Sequence, residues 1–242
     1  MRFQASLTAS FAIAALFVCA GPRVWAQESS SSQSQVQQNT APQPSPAYIA
    51  IDPLAGVRYD NRWDLSVEMA YDHIKAGPNL LQGANLGGLN ISSSYYLARR
   101  WRLEGTFRPY VGTSGAAPNP YQINGPFIAQ YVFAAGPEWL GPHNKHGALI
   151  PHVLVGGAYG DFEHNLRSHP PETVGFYNNQ VAFAMIMGGH FDLNRSAHWV
   201  FRMTPDAVLT NYGVNYGTKQ HQLDINAAFS VGIEYRFMRK TK

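Results

Sequence analysis

Apolar and polar residues alternate one by one through most of this chain beyond residue 60. The clearest stretch is the last, where Leu223, Ile225, Ala227, Phe229, Val231, Ile233, Tyr235 and Phe237 alternate with Asp224, Asn226, Ala228, Ser230, Gly232, Glu234 and Arg236. A period of two is that of a β-strand with two unlike faces. The same pattern runs through Trp63, Leu65, Val67, Met69 and Tyr71 against Asp64, Ser66, Glu68 and Ala70. It runs again through Trp101, Leu103, Gly105 and Phe107 against Arg102, Glu104, Thr106 and Arg108. Shorter or less regular versions predict strands over 84–97, 127–137, 148–159, 180–193 and 198–210. Together these make eight, and no segment after the N-terminal leader has the period of an amphipathic helix.

The connections differ in length. Ala98-Arg99-Arg100 and Asn194-Arg195-Ser196 are tight turns, and 138–147 is intermediate. The segments Gly112 to Gly125, Asp161 to Asn179 and Asn211 to Lys219 are longer and rich in Gly, Pro, Asn and His. Short turns at one end and long loops at the other are the habit of transmembrane barrels, with the short turns in the periplasm.

Alternation alone does not say which face is inside. Composition does: 14% of the residues are charged, against about a quarter in an ordinary soluble domain. The polar face is made mostly of Gly, Ala, Ser, Thr and Asn, which suits a narrow lumen. The apolar face places Trp63, Tyr71, Trp101, Tyr159, Trp199, Tyr235 and Phe237 near strand ends, as interfacial girdles require. The expected fold is therefore all-β: a closed, antiparallel, up-and-down transmembrane β-barrel of eight strands.

The two ends are unlike this middle. Arg2, an apolar run from Leu7 to Ala20 and the small-residue pattern Val24-Trp25-Ala26 predict a signal peptide over 1–26, cut before Gln27. The only cysteine, Cys19, lies within it, so no thiol chemistry is expected of the exported protein. Residues 27–47 are nearly all Ser, Gln and Pro and predict a disordered linker, leaving 48–242 as the barrel domain. Without Arg2 and Arg23 the 18 basic residues become 16 against 15 acidic ones, and the net charge falls from +3 to +1. No basic run remains for nucleic acid.

Taken in order over roughly Tyr59 to Phe237, GANLGG (83–88), RRWRLEGTFRPYVG (99–112), IPHVLVGGAYG (150–160), AFAMIMGGHFDLN (182–194) and FSVGIEYRF (229–237) carry a resemblance to the small eight-stranded outer-membrane β-barrels, the OmpA-like and opacity-protein group. It implies eight strands, periplasmic termini, no bound cofactor, outer-membrane lipid as surroundings and the barrel-assembly machinery as a partner during biogenesis. One departure is the tail: Phe237, the terminal aromatic that the assembly machinery would read, is followed by Met238-Arg239-Lys240-Thr241-Lys242.

Strand parity turns a set of charges toward the lumen: Asp64, Glu68, Arg102, Glu104, Arg108, Asp192, Arg202, Asp206, Glu234 and Arg236, with His152 and His190. Both signs occur in similar number, and pairing across neighbouring strands is expected because an unpaired charge in a narrow, dry lumen is prohibitive. Such a network is a structural plug in the first reading and the lining of a small passive channel in the second.

No catalytic, cofactor or metal site is expected. His143 and His146 share a turn without a third ligand at metal-site spacing. Ser168 beside His169 and Ser196 near His198 lack the third group that a lipid-modifying enzyme would need. Tyr110, Tyr121, Phe162, Phe176, Tyr177, Tyr212 and Tyr216 lie in the predicted external loops. They would serve there as an upper interfacial girdle or as a recognition surface for an external ligand. A structural or surface-interaction role in the outer membrane is the expected function.

Overall fold

The computed structural model describes residues 52–237 except 79, 81, 82, 117 and 216–218. The leader with Cys19, the linker, Tyr216 and the tail after Phe237 lie outside the described residues. Eight strands form one closed barrel in sequence order: β1 (Trp63–Ile74), β2 (Ala84–Tyr96), β3 (Trp101–Ser114), β4 (Phe127–Trp139), β5 (Gly147–Asp161), β6 (Gln180–Asn194), β7 (Trp199–Asn215) and β8 (Lys219–Phe237). Every neighbouring pair is antiparallel, and β1 closes the barrel on β8 from Trp63↔Phe237 to His73↔Ala227. The one helix among the described residues, α1 (Pro171–Val174), is a single turn between β5 and β6. No described helix is long and apolar enough to cross a membrane.

Burial follows the period of two, strictly so in β1, where exposed and buried residues alternate from Trp63 to Ile74. What is unusual is which residues are buried. The outer face carries Met69 at 74% exposure, Ile225 at 72% and Val181 at 75%, with Leu65, Leu103, Phe133, Val153, Phe191 and Ile233 about half exposed. The inner face holds carboxylates, guanidiniums, hydroxyls and amides. A monomeric soluble protein rarely exposes an apolar patch larger than a few hundred Å², and this one has an apolar belt around the whole barrel. Its outer surface matches lipid, not water.

Aromatic side chains mark the edges of the belt. Trp63, Trp101, Trp199 and Phe237 are each about half exposed at the end where the short turns lie, and Tyr235 packs edge-on against Trp199 and Phe237. Trp139, paired with Trp101 across β3 and β4, joins them. Tyr71 and Tyr159 lie on the outer face toward the other end. From Trp63 to Tyr71 is about 26 Å at 3.3 Å per residue, or about 20 Å along the normal of a bilayer at the usual tilt, close to the height of an outer-membrane apolar band.

Several boundaries differ from the pattern-based expectation. β3 continues to Ser114 and β4 to Trp139, and β7 and β8 run on as a hairpin with pairing out to Asn215↔Lys219. The segment 211–219 is therefore mostly strand, not the long loop its Asn and Gly residues suggested. Its flanking residues pair across the hairpin, and tertiary pairing overrides weak strand propensity. This extension changes the position of the aromatics. Tyr110 and Tyr212 fall at inward-facing positions of β3 and β7, while Phe162, Phe176 and Tyr177 come from the segment that folds back over the mouth. All five are buried, so they form neither a girdle nor an exposed recognition surface.

Candidate functional site

The lumen is filled in three levels. At the end with the short turns, Arg102 on β3 bridges Asp64 of β1 (2.9 Å) and Glu138 of β4 (2.6 Å). Across the barrel, Arg202 of β7 grips both oxygens of Asp192 on β6 (2.8 and 3.0 Å) and touches Glu234 of β8. Arg236 completes this group through Asp192 (3.0 Å), Glu234 (2.6 Å) and Asn194 (2.9 Å), with its guanidinium 4.6 Å above the ring of Tyr59. The planar fork of arginine lets one side chain tie two strands at once, which a lysine would not do.

The middle level is built differently. Among the described residues no cation pairs with Glu68 of β1; Ser66 (3.1 Å), Asn90 (3.3 Å), Thr204 (2.8 Å) and Ser230 (2.8 Å) all donate to it. Four neutral donors satisfy its lone pairs where the expected ion pair would have stood. Beside it, Glu104 of β3 faces His152 of β5 (2.9 Å) and His190 of β6 (3.2 Å). His152 also reaches Asp206 (3.0 Å), whose second oxygen takes Arg108 (2.6 Å).

The third level, under the long connections, is mostly apolar and aromatic. Phe162, Tyr177 and Tyr212 meet with ring centroids 5.0–5.9 Å apart. The Tyr177 hydroxyl donates to Asp224 (2.6 Å), which also takes Lys75 (3.1 Å) from the rim. Burial and the neighbouring Asp224 carboxylate raise the Tyr177 phenol above the ordinary tyrosine range, so it stays protonated and can donate this bond.

Small residues on the inner face make room for these long side chains. A Cβ on Gly188 would collide with the Asp206 carboxylate and the Pro205 carbonyl. Gly188→Ala is expected to destabilise the barrel by about 1–3 kcal/mol, read as a lowered urea midpoint in detergent, with Gly105→Ala, where a Cβ meets open space, as the neutral control.

All ten charges assigned to the lumen by parity are buried there, as are His152 and His190. Three carboxylates join them: Asp72, Glu138 and Asp224. Asp72 and Glu138 lie just past the alternations read for β1 and β4, so running each to the true strand end would have found them, and Asp224 already stands on the polar side of the β8 alternation. They change the charge balance. Among the described residues, nine buried carboxylates face four buried guanidiniums and two imidazoles, in place of the near-even mixture expected.

The serine and histidine pairs do not make nucleophilic sites. Ser196 Oγ accepts the backbone N–H groups of His198 (3.3 Å) and Trp199 (3.0 Å), a turn cap, while the His198 ring lies 2.9 Å from the Arg236 carbonyl. Ser168 sits in a turn with φ 66°, and the His169 ring stacks on Tyr121 at 3.8 Å. His143 lies 2.8 Å from the Gly141 carbonyl and packs against Tyr59.

No protein-family model matches the sequence, and no curated protein matches it. Among solved structures, it is similar to the outer membrane protein OprG from Pseudomonas aeruginosa, with a TM-score of 0.52 and 11% identity over 76% of this chain and 99% of that one. It is also similar to Ail, the attachment invasion locus protein of Yersinia pestis (TM-score 0.44, 17% identity, 74% of this chain and 99% of that one). A further match is Neisserial surface protein A (TM-score 0.44, 12% identity, 72% of this chain and 97% of that one). At such identity the likeness to OprG is one of fold, and the chain has the fold of the small eight-stranded outer-membrane β-barrels.

Proposed function

We propose that this protein is an integral barrel of a bacterial outer membrane, closed by its own side chains, acting through its rims and lipid-facing surface and not through a pore or a reaction. The observation that supports this most is the filled lumen. A solute entering from the short-turn end meets Arg102, Arg202 and Arg236 locked to Asp64, Glu138, Asp192 and Glu234. From the other end it meets Phe162, Phe176, Tyr177 and Tyr212, all without exposed surface to speak of.

On this reading the short turns at 97–100, 140–146 and 195–198 face the periplasm and the longer connections face outward, following the habit of such barrels. The lipid belt and the assembly machinery are the partners, and an external ligand would bind the exposed parts of the 115–126 and 162–179 segments. A passive channel would require the paired charges to separate, leaving buried carboxylates without cations, which is strongly unfavourable. Reconstitution into planar bilayers tests the proposal. No reproducible conductance steps are expected, and uniform steps scaling with the amount of protein would establish the channel instead.

A further inference from the structure

We infer that Glu104, His152 and His190 form a buried metal site in the middle of the barrel, of a kind that takes a divalent transition ion such as Zn(II). The three side chains come from β3, β5 and β6, so no spacing along the chain announces them. Their ligand atoms converge: Glu104 Oε2 lies 2.9 Å from His152 Nδ1 and 3.2 Å from His190 Nε2, and the two nitrogens are 3.2 Å apart. An ion bound tetrahedrally at about 2.0–2.1 Å from each ligand holds them about 3.3 Å from one another. The triangle is already close to that size.

The partners around the triangle are those that neutral, ligating tautomers of both rings would use. Thr204 gives its single hydroxyl proton to Glu68, so it accepts from His190 Nδ1 at 2.8 Å, and His190 Nε2 is left with its lone pair. His152 Nε2 lies 3.0 Å from Asp206, and a neutral ring that donates there carries its lone pair on Nδ1. With both rings neutral, two nitrogen lone pairs and a carboxylate oxygen point at one spot and repel one another. A cation there removes the repulsion. Carboxylate and hydroxyl partners on the far side of ligating imidazoles are the usual support of such an ion, fixing ring orientation and raising basicity.

Two further observations point to a cation. Glu104 Oε1 is buried and has no hydrogen-bond partner, and neither has Oε1 of Glu138, whose other oxygen lies 3.9 Å from His190 Nε2. Glu104 Oε1, on the same carboxylate as the ligating oxygen, is within reach as a fourth ligand. The charge of the lumen agrees: nine buried carboxylates are set against four guanidiniums, and a divalent ion offsets part of that excess. The donor set of two imidazoles and one carboxylate suits Zn(II) better than Ca(II) or Mg(II), which take oxygen almost alone. All three ligating side chains are buried, so the ion is structural and enters during folding.

The test is metal content of the full chain folded in detergent with Zn(II) and then passed over a chelating resin. About one Zn(II) per folded barrel should remain, because release requires unfolding. Glu104→Gln and the double variant His152→Gln/His190→Gln should each retain less than about a tenth of that. The surface double variant His143→Ala/His146→Ala should retain it fully. Folding is read for each from the gel shift between unheated and heated samples.

If the luminal variants do not fold, Co(II) in the unaltered protein decides. Strong visible d–d bands of a low-coordinate site with nitrogen ligands support the inference, and a weak six-coordinate spectrum overturns it. Folded wild-type protein free of zinc also overturns it, as does an adventitious ion only, seen as binding that survives in the luminal double variant or vanishes in the surface one. Metal content is independent of conductance, so failure here leaves the closed-lumen proposal to be judged by its own experiment.

Discussion

Arg202→Ala should destabilise the folded barrel by about 3–5 kcal/mol, the range for removing one partner from a buried ion pair. Arg202 has no exposed surface and holds both oxygens of Asp192 while touching Glu234. Removing its guanidinium leaves two carboxylates with Arg236 as their one remaining cationic neighbour in contact. Most of the cost comes from that stranded negative charge, not from the value of the lost pair. Urea titration in detergent, followed through tryptophan fluorescence, measures it. Arg99→Ala in the exposed turn before β3 is the control and should change stability by less than about 0.5 kcal/mol. A loss below about 1 kcal/mol for Arg202→Ala would mean that water reaches the cluster, which contradicts a closed lumen.

Val67→Arg is the second large effect, and its site lies on the opposite face of the wall. Val67 is on the outer face of β1, midway between Trp63 and Tyr71 and therefore near the middle of the belt. In lipid, an arginine at the bilayer midplane costs about 2–4 kcal/mol, falling to about 0–1 kcal/mol near the interface. Leu97→Arg, in the exposed turn after β2, should show the small value. Folding into lipid vesicles over a urea series measures both. If the outer face were solvated, both substitutions would be nearly neutral, so equal small effects would contradict membrane embedding.

Much of this architecture was legible because the side-chain period of a strand is short and strict. Alternation in 63–71, 101–108 and 223–237 located β1, β3 and β8 and put Asp64, Arg102 and Arg236 on their polar face. Low charge then said which face met lipid. Strand ends were less legible, since Asn, Gly and Pro in 211–219 and 137–142 are turn formers in isolation and yield here to pairing with a neighbour. Glu138, Asp72 and Tyr212 were missed for that reason: each lies one or a few residues past the point where the alternation fades.

Contacts between strands distant in sequence were not legible at all. Phase gives the side of the wall on which a residue stands, but not its height or its partner. Glu68, surrounded by Ser66, Asn90, Thr204 and Ser230, shows the difference: its inward position followed from parity, and its neutral partners depended on the register of four strands. The cluster of Glu104, His152 and His190 depends on the same register. The burial of Phe162 and Phe176 follows from a loop folding back over the mouth, which no local pattern encodes.

The barrel is turned inside out, with an apolar outer face and its charged side chains buried within. Fractionation of cells producing the protein tests this most directly. It should be recovered with outer membranes, come into solution only with detergent, and migrate faster on a gel before heating than after. Recovery as a folded protein in the soluble periplasmic fraction, without detergent, would contradict the account.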